Sequence, residues 1–388
     1  VNACDAGREG ELIFKHVYDL SGSKKPVKRL WISSLEDSAI LDGMQHLRSA
    51  EEYRHLAEAA VCRSQADWLV GMNATRAYTT KYFKKLTVGR VQTPTLAMLV
   101  ERAGQISNFQ KEKYFNVELD CDGIPAVKPK IFDPDEAEQL RSRCHGNEAI
   151  VTSVKETEKK VKAPKLYDLT TLQREANRIY GMTAKQTLDT AQSLYEKKLI
   201  TYPRTDSQYL TEDMEQTARN VVRQIYEKYQ LTDPFDQPEQ PDVKKVMNNS
   251  KVTDHHAIIP TMELASCHLG ELKFWEEKIL FLIAVHTVMA MSKDHIYQET
   301  EIEVECQGEI FKAKGKTVLQ DGWKLFENCF KNKDRMAIVD PDQEMKERMP
   351  KVTQGQTFYA VAAEKTEHFT SPPKPYSEDT LLAAMETA

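Results

Sequence analysis

A tyrosine followed by a proline and an arginine is the most chemically suggestive part of this sequence. Tyr202 lies in the stretch KKLITYPRTDS, and Arg204 follows two residues later. Residues two apart on a strand share a face, so a guanidinium there could hold a phosphate beside the phenol oxygen. Pro203 limits this stretch to an edge strand, which would let the ring face solvent or a cleft. Because aromatic residues are common in strands, the residues alone favour a packing role for Tyr202, and Arg204 only weakens that preference.

An acidic turn lies near the start of the chain. The stretch DAGREGE places Asp5, Glu9 and Glu11 around two glycines, between a predicted short strand at residues 1–4 and a predicted helix. Carboxylates at the carboxyl end of a strand can meet outside the sheet, and Mg²⁺ binds one or two of them together with water and phosphate. A glycine turn with acidic residues at a helix N-terminus has the same pattern. The stretch taken alone favours this second interpretation.

A glycine and an arginine precede another predicted helix. In LTVGRVQTPTLAML, Gly89 and Arg90 come immediately before a helix that Thr93 could cap and Pro94 could start. Backbone N–H groups and an arginine at such a position suit a phosphate. An ordinary capped helix with a surface arginine would give the same sequence, so both interpretations stay open.

Two adjacent histidines, His255 and His256, lie in the stretch TDHHAIIPT. Neighbouring side chains point in different directions, so the two histidines are a poor pair of metal ligands. One of them could cap or pack, and the other could donate a hydrogen bond to a phosphate oxygen.

The spacing of apolar residues predicts alternating helical and β regions. Apolar residues recur three and four apart at residues 34–109 and again at about 163–288. They alternate with polar residues at about 114–161 and 297–363, which is the strand period. The simplest arrangement is a helical module inserted into a β unit. The predicted fold class is therefore mixed α/β with several domains.

Two helices lead directly into the tyrosine stretch. Gly181 ends the first, and Thr183 can cap the second, whose apolar face includes Leu188, Ala191 and Tyr195. The pair forms a helix-turn-helix pattern. This pattern predicts that Tyr202 emerges from the module on a short strand.

The composition limits the classes of function. The 388 residues are 40% hydrophobic and 29% charged, which predicts several domains with their own cores. No apolar run reaches the length of a membrane span, and seven scattered cysteines without a CxxC spacing predict free thiols in a reducing, cytoplasmic compartment. A net charge of −6 means that any binding of nucleic acid must be local.

Six stretches have the order and spacing found in one family: DAGREGE, RSQADWLVGMNATRA, LTVGRVQTPTLAMLVER, TLQREANRIYGMTAKQTLDTAQSLYEKKLITYPRTDS, DHHAIIPT and PPKPYSEDTLLAAME. Together they resemble the type IA DNA topoisomerases of the bacterial topoisomerase III branch. The resemblance spans nearly the whole chain, and it favours the chemical interpretation of each stretch described above.

The resemblance implies a toroidal architecture with winged-helix-like helical domains and β arches. The implied domains are the end of a Toprim metal domain (1–36), a helical DNA-binding domain (37–109 and 366–388), β arches (110–165 and 289–365) and a helical domain carrying the nucleophile (166–288).

The implied function is ATP-independent strand passage. The equivalent of Tyr202 attacks single-stranded DNA to form a 5′-phosphotyrosine, and the torus opens, passes a strand and religates, which relaxes negative supercoils or decatenates DNA. A phenol, with a pKa of about 10, is a better leaving group than an alkyl alcohol, so the covalent bond stays reversible.

The resemblance also assigns residue roles. Tyr202, Arg204 and Glu9 are the implied catalytic residues, and Asp5 and Glu9 are the implied Mg²⁺ ligands. The implied DNA contacts are Arg76, Thr87, Val88, Gly89, Arg90, Val91, Gln92 and His255. The implied partners are single-stranded or negatively supercoiled DNA and a helicase. We expect a monomer in the bacterial cytoplasm, associated with the nucleoid or encoded on a plasmid, and no membrane contact.

Two departures from the family pattern affect these expectations. Gly7 occupies the middle position of an acidic triplet, so metal affinity should be lower. The family also has a segment upstream of the acidic turn, including a glutamate at a strand end, and a segment after the last helix. We therefore expect residues 1–388 to be inactive alone.

Two other classes of protein remain as alternatives. A Toprim-containing nuclease or primase is supported only by DAGREGE, and it predicts no role for Tyr202 and no covalent adduct. A catalytically silent clamp for single-stranded DNA is the alternative from the binding proteins. Activity assays on the intact protein separate these alternatives.

Overall fold

The structure is a computed structural model that describes residues 1–32, 37–231, 241–252, 255–334 and 350–387. The α-helices in these ranges are α1 (Arg8–Ser21), α2 (Asp37–Gln45), α3 (Arg54–Tyr82), α4 (Gln92–Ser107), α5 (Pro134–Cys144), α6 (Leu169–Tyr180), α7 (Ala184–Glu196), α8 (Glu215–Tyr229), α9 (Phe274–Ala290), α10 (Lys324–Lys333) and α11 (Glu378–Thr387). The strands are β1 (Lys28–Arg29), β2 (Arg48–Ser49), β3 (Lys113–Cys121), β4 (Ile124–Ile131), β5 (Ala149–Val161), β6 (His295–Cys306), β7 (Glu309–Gln320), β8 (Thr357–Phe358) and β9 (Ala362–Phe369).

A seven-stranded antiparallel sheet forms the β unit, in the order β8-β5-β6-β7-β4-β3-β9. The predicted alternation is confirmed, because the buried face carries apolar side chains such as Val117, Leu119 and Val304. Opposite charges pair across the exposed face of β6 and β7, with Glu303 and Lys312 at 2.9 Å. Such cross-strand pairs add a few tenths of a kcal/mol each to strand pairing.

Helix α5 was not predicted from the alternation. It begins at Pro134, and the carboxylate of Asp133 accepts hydrogen bonds from the first free N–H groups of the helix. Its apolar residues Ala137, Leu140 and Cys144 are buried in the core of the sheet.

The helical module inserted between β5 and β6 has a separate core. Helix α9 lies at its centre and is buried on all sides, since every residue from Ile279 to Ala290 is buried. The predicted helix-turn-helix is confirmed in α6 and α7. Gly181 ends α6 in the left-handed region at φ 66°, and Thr183 Oγ1 accepts a hydrogen bond from the backbone N–H of Gln186 at the start of α7.

The N-terminal unit consists of α1, the β1-β2 pair and the residues before them. The predicted strand at residues 1–4 is reduced to one parallel bridge between Asn2 and Arg29. Helix α1 packs against α3. Helix α11 packs against α6, where Arg174 Nε lies 2.8 Å from Asp379 Oδ1. In the described part of the chain, the helices lack the length and apolarity that crossing a membrane requires.

Candidate active site and nucleic-acid interface

Tyr202 lies in a loop and not on the predicted strand. The backbone N–H of Thr201 still bonds the carbonyl oxygen of Ile259 at 3.0 Å, but Pro203 has no N–H with which to continue the ladder. The side chain is also less accessible than predicted, with 7% of the residue exposed. The prediction of an edge strand was therefore wrong, because the loop turns the ring inward.

The ring of Tyr202 lies among three side chains. Its hydroxyl donates a hydrogen bond to Asp5 Oδ2 at 3.1 Å, although the two residues are 197 positions apart. The Tyr195 ring meets it edge to face at 5.3 Å, and the His255 ring lies 4.3 Å away. The fold thus brings the tyrosine of the module to the acidic turn of the N-terminal unit.

The surroundings keep the phenol protonated. Burial, followed by the charge of Asp5 and its hydrogen bond, raises the pKa of Tyr202 well above its usual value, and Arg204 opposes this shift. A nucleophilic phenol here must lose its proton to a nearby acceptor. Asp5 is the carboxylate in contact with it.

Arg204 lies beside Tyr202 and is unpaired among the described residues. Its side chain is exposed, and it makes no ion pair or hydrogen bond with the described residues. It is close enough to Tyr202 to lower the pKa of the phenol. The guanidinium is therefore free to bind an anion beside the tyrosine.

The three carboxylates of the acidic turn differ in their exposure to solvent. Asp5 and Glu9 are exposed, whereas Glu11 is buried. A Cβ at Gly10 would lie 1.9 Å from the carbonyl oxygen of Asp5, so only glycine lets α1 approach this turn so closely. Gly7 has extended backbone at φ 169°, which any residue adopts, so an aspartate at the middle acidic position would fit the backbone.

Arg29 is the main residue of this site that the sequence did not indicate. It is fully buried, donates hydrogen bonds to the carbonyl oxygens of Cys4 and Asp5 at 2.7 and 2.6 Å, and places its Nε 2.6 Å from Glu11 Oε1. The buried charge thus ties the backbone of the acidic turn to α1. The only available signal was a single arginine within the short apolar run VKRLWI.

His255 is neutral at pH 7. Burial, with a smaller effect from His256, lowers its pKa to about 4. It hydrogen-bonds the backbone of Ala6, and its buried Nδ1 has no partner among the described residues. A phosphate contact by His255 would therefore use a neutral imidazole. His256 turns away and bonds the carbonyl oxygen of Ala257 at 2.9 Å.

The glycine and arginine before α4 form a second group of residues. Helix α4 begins at Gln92 after Val91, so the predicted cap by Thr93 was wrong. Thr93 Oγ1 instead accepts a hydrogen bond from the backbone N–H of Gly89 at 3.0 Å. The Arg90 guanidinium forms two hydrogen bonds with the Asp67 carboxylate, at 2.5 and 3.3 Å.

Most of the predicted DNA contacts lie in the second half of α3 and in the residues that lead into α4. Among the described residues, no contact connects this group to Tyr202. Arg76, Thr87, Arg90, Val91 and Gln92 are exposed, and Val88 and Gly89 are partly buried. His255 alone lies beside the tyrosine.

The Asp67 carboxylate occupies the position on Arg90 that a phosphate would need. We expect Asp67→Asn to strengthen binding of single-stranded DNA severalfold at low salt, because the phosphate no longer competes with a carboxylate. Fluorescence anisotropy with a labelled oligonucleotide measures this change. Asp42→Asn, at an exposed carboxylate in α2, is the control, and unchanged or weaker binding by the Asp67 variant would contradict the expectation.

Tyr195 was predicted only as an apolar position of α7, but its ring supports Tyr202. We expect Tyr195→Leu to lower the rate of DNA cleavage at least tenfold in the whole protein with little change in DNA affinity, because the tyrosine ring loses its edge-to-face neighbour. Tyr195→Phe keeps the ring and should cleave at nearly the wild-type rate. Equal losses in both variants, measured by single-turnover cleavage, would show that the ring contact does not matter.

The acidic turn offers a minimal set of ligands for a divalent cation. In the described ranges, no three His, Cys, Asp or Glu side chains come together in a way that could hold a metal ion. Asp5 and Glu9 nevertheless are exposed oxygen donors, and Glu9 has no ion pair or hydrogen bond in the described part of the chain. Two carboxylates fit Mg²⁺, which keeps water and substrate phosphate as its other ligands.

Comparisons with known proteins identify the family and the fold. Residues 51–388 match the sequence profile of the family described as DNA topoisomerase. The DNA topoisomerase 3 of Bacillus subtilis is 41% identical over 100% of this chain and 54% of the relative, and that of Bacillus licheniformis is 40% identical over 100% and 53%. The solved structure of topoisomerase I from Thermotoga maritima has a TM-score of 0.78 at 25% identity, covering 99% of this chain and 62% of that one.

The family match extends over most of the chain, and the chain spans about half the length of the curated relatives it matches. The mixed α/β fold with its seven-stranded sheet matches the fold of the Thermotoga enzyme. The chain therefore belongs to the type IA DNA topoisomerase family, on the topoisomerase III branch.

Proposed function

We propose that this chain provides the strand-cleaving part of an ATP-independent type IA topoisomerase. The observation that carries this proposal is the contact between the Tyr202 hydroxyl and Asp5, which places a buried phenol beside a carboxylate. Arg204 lies free beside them to hold a phosphate. The whole enzyme would relax negative supercoils or decatenate DNA.

In the proposed reaction, the Tyr202 oxygen attacks a phosphodiester of single-stranded DNA. A bond forms between the phenol oxygen and phosphorus, and the bond from phosphorus to the 3′ oxygen breaks. The phenol proton passes to an acceptor such as Asp5, and the departing 3′ oxygen takes up a proton. Because phenolate is a good leaving group, the free 3′-hydroxyl can reverse the step without ATP.

Arg204 and the acidic turn would both stabilise the negative charge of the reacting phosphate. The Arg204 guanidinium would bind the two non-bridging phosphate oxygens and stabilise the charge that grows on them in the transition state. Asp5 and Glu9 would hold Mg²⁺, which when bound supplies positive charge near the phosphate. His255, packed on the tyrosine, would fix the ring, and to contact a phosphate oxygen its single N–H would have to exchange the backbone of Ala6 for the phosphate.

The domain boundaries and partners belong to the same proposal. The ranges 1–36, 37–109 with 366–388, 110–165 with 289–365, and 166–288 would be the Toprim, DNA-binding, arch and nucleophile-bearing parts. The partner would be single-stranded or negatively supercoiled DNA, with a helicase acting beside a monomeric enzyme at the bacterial nucleoid or on a plasmid.

A test of this function uses the polarity of the covalent adduct in the whole protein. Single-stranded oligonucleotides labelled at the 5′ or the 3′ end are incubated with the protein and Mg²⁺, and the reaction is stopped with detergent. A 5′-phosphotyrosine leaves the 3′ label on the protein and releases the 5′ label. Cleavage without any protein-bound label would instead indicate a nuclease, and would overturn the proposal.

A further inference from the structure

The end of α3 and the turn after it carry an unusual balance of charge. The 33 residues from Trp68 to Val100 contain no Asp or Glu, although the composition of the chain would give about five by chance. They contain five cationic residues: Arg76, Lys81, Lys84, Lys85 and Arg90. A chain with a net charge of −6 therefore has a local cationic segment here, and that segment includes the proposed DNA contacts Arg76 and Arg90.

The cationic segment extends along α3, from the position of the Arg90 side chain to the C-terminal end of the helix. After α3 ends, the chain folds back, and Thr79 and Thr75 accept hydrogen bonds from the backbone N–H groups of Leu86 and Val88. Arg90 then reaches Asp67, farther back on the helix. At 1.5 Å per residue, Asp67 and the end of the helix are about 22 Å apart. The lysines at the turn are thus too far from Arg90 to contact the same phosphate.

We name residues 76–85 the α3 tip. Its aromatic side chains are exposed, at 51% for Tyr78, 55% for Tyr82 and 95% for Phe83. The Tyr78 and Tyr82 rings stack at 6.1 Å, and Lys81 Nζ lies 5.7 Å from the centre of the Tyr82 ring. In the described part of the chain, the cations of the tip make no ion pair with a carboxylate. Flat aromatic faces therefore alternate with unpaired positive charge.

We propose that the α3 tip binds a segment of single-stranded DNA that continues from the phosphate site at Arg90. This inference rests on the proposed function and extends its DNA path. Exposed aromatic rings stack on bases whatever their sequence, and lysines bind the phosphates between them. Duplex DNA cannot use this surface fully, since its bases are already stacked on one another. An acidic protein segment would use only the lysines.

Binding as a function of DNA length tests the charge part of the proposal. Labelled oligothymidylates of about 4 and about 16 nucleotides, near the limits of single-strand site size, are bound to the whole protein without Mg²⁺ in a salt titration. In Lys84→Ala/Lys85→Ala we expect weaker binding of the long oligonucleotide and a salt slope smaller by about 1.4, since each phosphate contact contributes about 0.7. Binding of the short one should not change.

The matched control is Lys24→Ala/Lys25→Ala, which removes an exposed lysine pair from the turn after α1. Equal losses in both double variants would show that only overall charge matters, and would overturn the proposal. Unchanged binding of the long oligonucleotide by the Lys84 and Lys85 variant would overturn it as well. These measurements need no cleavage, so a failure of the Tyr202 chemistry would leave their result interpretable.

Base stacking is tested separately at Tyr82. We expect Tyr82→Ala to weaken binding of the long oligonucleotide about tenfold, and Tyr82→Phe to bind as wild type, because stacking needs the ring and not the hydroxyl. If the lysine variant binds weakly while Tyr82→Ala binds normally, the surface recognises an acidic polymer by charge alone. That result would reject single-stranded DNA as its specific occupant.

Discussion

A Tyr202→Phe variant of the whole protein forms no covalent adduct with DNA, according to the proposed chemistry. Only the nucleophilic oxygen is removed, so the ring should keep its contacts with Tyr195 and His255. The loss of one hydrogen bond to Asp5 should change the free energy of unfolding by about 1 kcal/mol at most. Detergent-stopped cleavage reactions on denaturing gels measure the adduct.

Tyr209→Phe is the matched control for this experiment. Tyr209 lies on the same loop, and its ring contacts lysines and not the acidic turn. We expect the control to form adduct at the wild-type level and both variants to bind single-stranded DNA normally. An adduct that persists in Tyr202→Phe would assign the nucleophile to another residue.

Arg29→Met should be the most destabilising substitution near the acidic turn. The change leaves the buried Glu11 carboxylate without its cation and frees the carbonyl oxygens that Arg29 holds. Breaking a buried ion pair in this way costs about 3–5 kcal/mol. Because Asp5 is one of the held residues, adduct formation in the whole protein should also fall. Chemical denaturation followed by tryptophan fluorescence measures the stability, since Trp31 lies over the guanidinium.

A double-mutant cycle separates the ion pair from simple loss of packing. Glu11→Met should destabilise the protein to a similar extent, and Arg29→Met/Glu11→Met should be more stable than either single variant, because neither charge is left unpaired. Arg54→Met, which breaks an exposed pair with Glu51, is the control and should cost less than about 1 kcal/mol. Additive losses at residues 11 and 29 would mean that the two charges act independently.

Local patterns in the sequence predicted the features that depend on near neighbours. The helix-turn-helix before Tyr202 was predicted because Gly181 and Thr183 supply the end of one helix and the cap of the next. The sheet was predicted because its strands alternate in polarity over many residues. The family resemblance then supplied the function and the candidate roles of Tyr202 and Asp5, which the residues alone left open.

The features that were missed depend on contacts between distant parts of the chain. The position of Arg29 as a buried cation follows from carbonyl oxygens more than twenty residues away, which no periodicity reveals. The pairing of Arg90 with Asp67 spans 23 residues and uses two exposed side chains. The strand predicted for Tyr202 failed because Pro203, two residues after Thr201, has no N–H with which to continue the ladder. Each of these contacts needs the folded backbone.

The connections of the helical module give the molecule a mechanical property. The chain leaves β5 at Val161 and enters β6 at His295, and these two residues are paired in the sheet. The residue after His295, Ile296, pairs with Gln320 of β7. These three points lie at one end of a single ribbon, and the module and the sheet have separate cores. A small bend of the strands at that end would rotate the whole module as a rigid body, with the strand ends as the hinge.

Away from that end of the ribbon, the module makes three polar contacts with other parts of the chain, beside the packing of α11 on α6. Tyr202 bonds Asp5, Lys198 Nζ lies 2.6 Å from Asp37 Oδ1, and Arg174 pairs with Asp379. Such contacts can break and form again in water at small net cost, whereas exposing an apolar core would cost far more. Separating the tyrosine from the acidic turn would therefore break the hydrogen bond to Asp5 and the Lys198–Asp37 pair without opening either hydrophobic core.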